Sequence, residues 1–264
     1  MLRFCSLGSG SSGNATLVEA AAPGGGPTVR LLIDCGLSLR ELTRRMALRG
    51  CSPAELDAVF ITHEHGDHIG CVTALVRKHG TPVYMSEGTW RGFAREHDPP
   101  PALRYARDGE PIELRGGALQ IRPYAVPHDA REPLQLTVSD GRHRLGVLTD
   151  AGVDTPRIVA ELQGCTALLL EANHDLEMLE KGPYPWPLKR RIAGPRGHLS
   201  NLTAASILGH CRHAGLKHVV AAHLSEKNNL PALAAAALAQ ALGTVNEDIV
   251  IADQRDGSAW LDLH

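Results

Sequence analysis

The chain has 264 residues, with 27 Lys and Arg against 29 Asp and Glu for a formal net charge of -2, and 43% of its residues are apolar. This supplies one sizeable core and excludes collagen-like, disordered and coiled-coil chains. Near-neutral charge also argues against a protein that coats nucleic acid or anionic membrane, while leaving room for a local basic patch.

In chain order, Leu2 to Leu7, Ala15 to Ala20 and Val29 to Ile33 read as strands, the last two parted by a turn at Pro23 to Pro27. A helix is predicted from Leu39 to Arg49, opened by Ser38 and closed by Gly50. A buried strand at Asp57 to Ile61, a helix from Ile69 to Lys78, a strand at Val83 to Met85 and a helix from Gly88 to Glu96 follow. The middle is strand-rich: Pro111 to Leu114, Ala118 to Val126, Leu134 to Ser139 and His143 to Leu148, with Asp140-Gly141 as a hairpin turn. Beyond it come a helix at Thr155 to Leu162, a strand at Ala167 to Glu171, a helix at Leu202 to His213, a strand at His218 to Ala221, a helix at Leu233 to Leu242 and a closing hairpin from Asp248 to Leu263. Strands and helices mingle with no long linker. One domain over 1–264 is therefore expected, of α/β (α+β) class, with two mixed β-sheets packed face to face and flanked by helices.

Cys5, Cys35, Cys51, Cys71, Cys165 and Cys211 are scattered, with no C-x-x-C pair, and read as buried free thiols. Met1 to Cys5 lacks the apolar stretch of a signal peptide, and the Ala-rich run Pro231 to Leu242 is far short of the roughly 20 residues that span a bilayer. A cytoplasmic protein with no membrane attachment is expected.

The 14 histidines direct attention to Thr62-His63-Glu64-His65-Gly66-Asp67-His68, which follows a buried strand directly and precedes a helix. An irregular strand-to-helix corner can aim three imidazoles and a carboxylate at neighbouring points in space. Residues this close cannot surround one tetrahedral ion evenly, so two adjacent ions explain the spacing better than one.

The run His63 to His68 resembles the H-x-H-x-D-H signature of the metallo-β-lactamase fold superfamily, in its binuclear, phosphodiesterase-like branch. Matches to the remaining family positions follow in order: His128 in Val126 to Asp129, Asp150 in Leu148 to Gly152, and His223 in Ala221 to Ser225, each at a predicted strand end. Ser6 to Val18, Glu171 to Asp175 (EANHD), Gly197 to Asn201 (GHLSN) and His223 to Asn229 (HLSEKNN) are similar to the YycJ (WalJ) group of that superfamily, so the resemblance covers nearly the whole chain. It implies a four-layer αβ/βα sandwich and a phosphodiesterase, most readily a 5′-to-3′ exonuclease acting on DNA. On this footing His63, His65 and His128 hold one divalent ion, Asp67, His68 and His223 a second, and Asp150 bridges the two. Hydroxide formed from water shared by the ions is then the nucleophile. Imidazole and carboxylate ligands without thiolate suit zinc, and manganese or iron would also be accepted.

His198, just before a predicted helix, resembles the proton-donating histidine of transfer-RNA-processing phosphodiesterases in the superfamily, with Glu171 as the carboxylate that orients it. Capping or packing is the alternative for both, and His174 is left open. Lys189, Arg190, Arg191 and Arg196 form the best basic patch, suited either to backbone phosphates or to a solvated face. Tyr184 and Trp186 could stack on bases, although packing of a Pro-rich loop accounts for them more simply. Ser9 to Asn14 could wrap a phosphate or form a tight turn. The other seven histidines, His79, His97, His143, His210, His213, His218 and His264, lack partners at ligand spacing. Two rival functions stay open: hydrolysis of a small ester, thioester, lactone or cyclic phosphodiester on the same fold, and a non-catalytic metal-binding sensor.

Overall fold

The computed structural model describes residues 1–22, 26–94 and 99–263. Its strands form two mixed β-sheets flanked by helices, as expected for the α/β class. The start of the turn predicted from Pro23, the end of the helix predicted to reach Glu96, and His97 and His264 lie outside the described residues. The chain packs as two compact units, one of 1–125, 130–143 and 253–264, the other of 126–129 and 144–252.

In the first unit β1 (Leu2–Gly8), β2 (Ala15–Ala22) and β3 (Gly26–Ile33) pair antiparallel, and β4 (Ala58–Phe60), β5 (Val83–Met85) and β6 (Leu103–Tyr105) continue the sheet in parallel. A short antiparallel run of β7 (Ile112–Leu114), β8 (Leu119–Ala125) and β9 (Leu134–Ser139) belongs to the same unit. Helix α1 (Leu39–Leu48) buries Leu42 and Met46, one turn apart on one stripe, and the Ser38 hydroxyl caps it by accepting from the Glu41 N–H.

The single helix predicted from Ile69 is instead two, α2 (Gly66–Ile69) and α3 (Val72–His79). The break has a local cause. The Asp67 carbonyl accepts from the Asn14 N–H at 2.7 Å and the Cys71 N–H donates to the Cys35 carbonyl at 3.0 Å, so the helical bond between residues 67 and 71 is not made. Helix α4 (Glu87–Ala94) completes the unit's described helices.

In the second unit β10 (Arg144–Leu148), β11 (Ala167–Glu171), β12 (His218–Ala222) and β13 (Ile249–Ile251) are parallel. Every residue of β11, Ala-Leu-Leu-Leu-Glu, is buried, as expected of a parallel strand covered on both faces. The connections carry α5 (Pro156–Leu162), α6 (Leu176–Lys181), α7 (Trp186–Ile192), α8 (Asn201–Cys211) and α9 (Pro231–Leu242). Buried Ile158, Ile207, Leu208, Ala234 and Leu238 are the inner faces of α5, α8 and α9.

Two sequence expectations fail here. The closing hairpin does not form: β13 pairs in parallel with β12, whereas β14 (Leu261–Asp262) pairs antiparallel with β1. The Pro-rich stretch after Tyr184 is helical as α7, because Pro185 is its N-cap and Pro187 lies in its first turn, where a missing N–H costs nothing.

Four non-glycine residues that leave strands take left-handed backbone: Arg115 in the turn after β7 (φ 48°), and, after strands of the parallel runs, Asp34 after β3 (φ 61°), Asp150 after β10 (φ 56°) and His223 after β12 (φ 54°). Each costs about 1–2 kcal/mol relative to ordinary backbone. In parallel α/β sheets the carboxyl ends of the strands are where ligands bind.

Candidate metal centre

In the first unit the His63–His68 loop is fixed from beneath by residues outside the motif. Asp34, 3% exposed, accepts from the Thr62 N–H at 2.8 Å and from the Thr62 hydroxyl at 3.0 Å, and its other oxygen takes His68 Nδ1 at 2.7 Å. With Nδ1 so occupied, Nε2 is the lone-pair nitrogen of His68, which accepts from the Asn14 side-chain amide at 3.0 Å and is the atom that would coordinate a metal. The Asn14 main chain and side-chain amide both donate to the Asp67 carbonyl, at 2.7 and 3.2 Å. Gly36 lies on the other side, where a Cβ would stand 1.7 Å from that same oxygen, so only glycine allows the approach. Asn14, braced by hydrogen bonds with Gly10 at 2.8 and 3.2 Å, thus clamps the motif loop.

Within the loop, His63 Nε2 and His65 Nδ1 are 3.0 Å apart, and Asp67 Oδ2 is 3.6 Å from His68 Nε2. Two nitrogens on one tetrahedral ion at 2.0–2.1 Å stand about 3.3 Å apart, so the donor atoms fit divalent metal in chemistry and spacing. Glu64, the motif's remaining carboxylate, accepts instead from the Arg131 N–H at 2.9 Å.

In the second unit Asp150, Glu171, His198 and His223 each offer a donor atom, all within 4.8 Å of one another. Asp150, 2% exposed, lies 3.6 Å from His223 Nε2, 3.4 Å from His198 Nδ1 and 3.9 Å from His128 Nε2. His128 Nδ1 donates to the Gly197 carbonyl at 3.0 Å, leaving its Nε2 to face Asp150. Burial outweighs the nearby carboxylates and moves the His128 pKa down, which keeps the ring neutral and able to coordinate.

His198 Nδ1 is 2.7 Å from Glu171 Oε1, and the ring stacks on His223 at 5.3 Å between centroids. Burial alone would lower the His198 pKa; the charge and hydrogen bond of Glu171, with Asp150 behind them, reverse it and the net movement is up. Burial would likewise raise Glu171, but His198 and His223 hold it below the usual carboxylate range. Glu171 also accepts from the Ala151 N–H at 2.9 Å and so fixes the turn that carries Asp150.

The other family-like motifs form a polar frame around these residues. Asn201 and Asn229 exchange side-chain hydrogen bonds at 2.9 and 2.8 Å, tying the start of α8 to that of α9. Asn173 donates to the His223 carbonyl at 2.9 Å, and the His174 carbonyl accepts from the Asn201 N–H at 2.9 Å. Of the predicted basic patch, Lys189 donates to the Glu180 carbonyl at 2.6 Å and Arg191 to Asp129 at 2.6 Å, beside His128. Arg190 and Arg196 are exposed. Sequence reasoning missed Asp34, whose available signal was a lone carboxylate ending an apolar strand just before Cys35-Gly36.

His174 is 1% exposed and its Nδ1 has no hydrogen-bond partner among the described residues. Burial chiefly, opposed by Glu171 and assisted by His198, brings its pKa down to about 4. The folded state therefore keeps a neutral ring that the unfolded chain protonates below about 6.5. The stability this group provides is complete above that pH and is lost as pH falls toward 4, by up to about 3 kcal/mol. Urea unfolding at pH 7 and pH 4.5 is expected to show a smaller acid loss in His174→Gln than in the parent; equal losses would remove His174 from the account.

A family profile described as β-lactamase superfamily domain matches residues 29–224. Exodeoxyribonuclease YycJ of Bacillus anthracis is 34% identical over 244 residues, 91% of this chain and 89% of that protein. Exodeoxyribonuclease WalJ of Streptococcus pneumoniae is 34% identical over 236 residues, 88% of this chain and 85% of that protein. Among solved structures, the metallo-β-lactamase fold protein YhfI from Bacillus subtilis aligns with a TM-score of 0.73 at 17% identity, covering 99% of this chain and 100% of that one. Zinc-bound PqqB from Methylobacterium extorquens aligns at 0.67 and 16% identity, covering 99% and 100%. At these identities the structural likeness is one of fold. With a profile spanning most of its length and 34% identity to relatives over nearly all of it, the chain belongs to the β-lactamase superfamily, among the metallo-β-lactamase fold hydrolases.

Proposed function

We propose that this protein is a binuclear metal-dependent phosphodiesterase that degrades DNA as a 5′-to-3′ exonuclease in the cytoplasm. The observation that carries this reading is the second unit's carboxylate and imidazole set: Asp150 faced by His128, His198 and His223, with Glu171 behind His198. His63, His65 and His128 would hold one ion and Asp67, His68 and His223 the other, with Asp150 as a carboxylate available to both; zinc suits these ligands, and manganese or iron would be accepted. Divalent ions in such a site supply Lewis acidity toward phosphate oxygens and a nucleophile from water at neutral pH.

The remaining chemistry belongs to side chains. Glu171 accepts from His198 Nδ1 and, against the opposing effect of burial, moves the ring's pKa up, which favours a protonated ring whose Nε2 delivers a proton to the departing alkoxide. Asp34 fixes the tautomer of His68, and Gly197 that of His128. Because Lys189 and Arg191 are tied to protein acceptors, Arg190 and Arg196 are the cations of the patch left to meet backbone phosphates. The identity to exodeoxyribonucleases YycJ and WalJ supports DNA as substrate.

Protein loaded with Mn or Zn is tested on single-stranded, duplex and end-blocked oligonucleotides beside a thioester. DNA loss from one end supports the reading, and thioester turnover without DNA loss rejects it. In an Asp67→Ala background, Arg190→Gln with Arg196→Gln is expected to lower the slope of log affinity against log salt by about 1.4, two single-strand phosphate contacts at about 0.7 each. An unchanged slope assigns both to a solvated face.

A further inference from the structure

Helix α7 buries none of its seven residues, so core packing does not explain its sequence. Its first residue, Trp186, is 69% exposed. Leaving an indole in water forgoes about 2 kcal/mol or more of burial, which makes an unpacked tryptophan in a folded unit a feature to be explained. The helix is nevertheless firmly placed. Lys189 anchors one side to the Glu180 carbonyl and Arg191 the other to Asp129, while the Ile192 carbonyl accepts from the His198 N–H at 2.9 Å. Gly197 sits so close that a Cβ would stand 2.1 Å from the Ile192 carbonyl oxygen, so the end of α7 and the start of the His198 segment form one rigid corner.

The charge on this element has one sign. Residues 181–198 include Lys181, Lys189, Arg190, Arg191 and Arg196 and not a single Asp or Glu. Basic residues in a last turn also favour the helix dipole, but that effect accounts for neither Trp186 nor Arg196. Trp186 and Arg190 are four residues apart and share one helix face. Arg190 forms no ion pair among the described residues, in contrast to its two neighbours, which are both occupied.

Resting on the nuclease reading above, we infer that this face of α7 receives an unpaired strand end, with Trp186 stacked on a nucleobase and Arg190 on the phosphate beside it. The helix rise sets Trp186 about 9 Å along the axis from Ile192, and hence from the His198 backbone. At about 3.4 Å per stacked nucleotide, that span is the length of two or three nucleotides. Indole stacking tolerates any base, as degradation of arbitrary sequence requires, and it demands that the base be unpaired. The site therefore selects single-stranded ends by their aromatic faces, while the cations select only for phosphate.

The test compares kcat/KM of the Mn-loaded protein on a short oligothymidylate and on the same strand carrying abasic residues at all but its terminal positions. The native enzyme is expected to prefer the base-bearing strand by roughly 5- to 100-fold, Trp186→Ala to lose most of that preference, and Trp186→Phe to keep most of it. An equal preference in Trp186→Ala, or none in the native enzyme, overturns the stacking site and leaves the nuclease reading standing. Failure of the native enzyme to cut either strand overturns the nuclease reading, and this inference with it.

Discussion

Asp67→Ala is expected to lower DNA degradation about a thousandfold or more and to reduce bound metal, with the fold intact. The expectation follows from where the two halves of Asp67 are committed. Its main chain is locked by Asn14 and by the close approach of Gly36, contacts that survive truncation of the side chain. Its carboxylate lies 3.6 Å from His68 Nε2 and accepts from the Asn14 side-chain amide at 3.4 Å, and on the proposed reading its main value is in coordination. Loss of a group that merely supports a metal ligand costs 10- to 100-fold, and loss of a ligand in a two-ion site exceeds that. His68→Ala should abolish activity as well, but it also strands the buried Asp34 carboxylate that His68 satisfies, so a fall in stability accompanies it. Metal content by elemental analysis and unfolding by circular dichroism separate the two variants. Robust DNA degradation by Asp67→Ala would end the two-metal mechanism.

His198→Ala is expected to reduce turnover on DNA by about 10²- to 10⁴-fold while metal content stays at the parent level. On the proposed reading His198 delivers the proton: its Nδ1 is committed to Glu171 at 2.7 Å, and against burial the charge and hydrogen bond of that carboxylate, with Asp150 behind them, move the ring's pKa up. A donor of this kind matters in proportion to how badly the leaving group needs a proton. An aryl phosphodiester, whose phenolate departs unaided, should therefore suffer much less from the substitution than DNA, whose alkoxide does not. Equal losses on both substrates would remove the proton-donor role, and loss of metal would make His198 a ligand.

Much of the site could be read from the chain because its residue types are rare in that context. Imidazoles and carboxylates at the ends of apolar strands stand out against Leu, Val and Ala, which is how His128, Asp150, Glu171 and His223 are legible at the ends of β8, β10, β11 and β12. Asp34 ends a strand in the same manner, but a single acidic residue before a Cys-Gly pair has no spacing partner to mark it, and its role depends on a contact with His68 across 34 positions. The two short helices α6 and α7 were not legible for a different reason. They bury little, so they leave no amphipathic period, and prolines that open a helix look the same in sequence as prolines that prevent one. The closing strands β13 and β14 were visible as strands, whereas their partners were not, since apolar content carries no record of which neighbour a strand pairs with.

The left-handed backbone at Asp34, Asp150 and His223 bears on how this protein can be improved or can decay. At Asp150 and His223 glycine would relieve the backbone, so a screen for heat resistance alone has an incentive to discard a carboxylate and an imidazole that the proposed chemistry uses, whereas Asp34 is held in place by the Thr62 and His68 groups it satisfies. Thermostabilising substitutions drawn from such a screen should be sought away from the strand ends. A chain that drifted to glycine at Asp150 and His223 would have an easier backbone and would lack two of the proposed ligands.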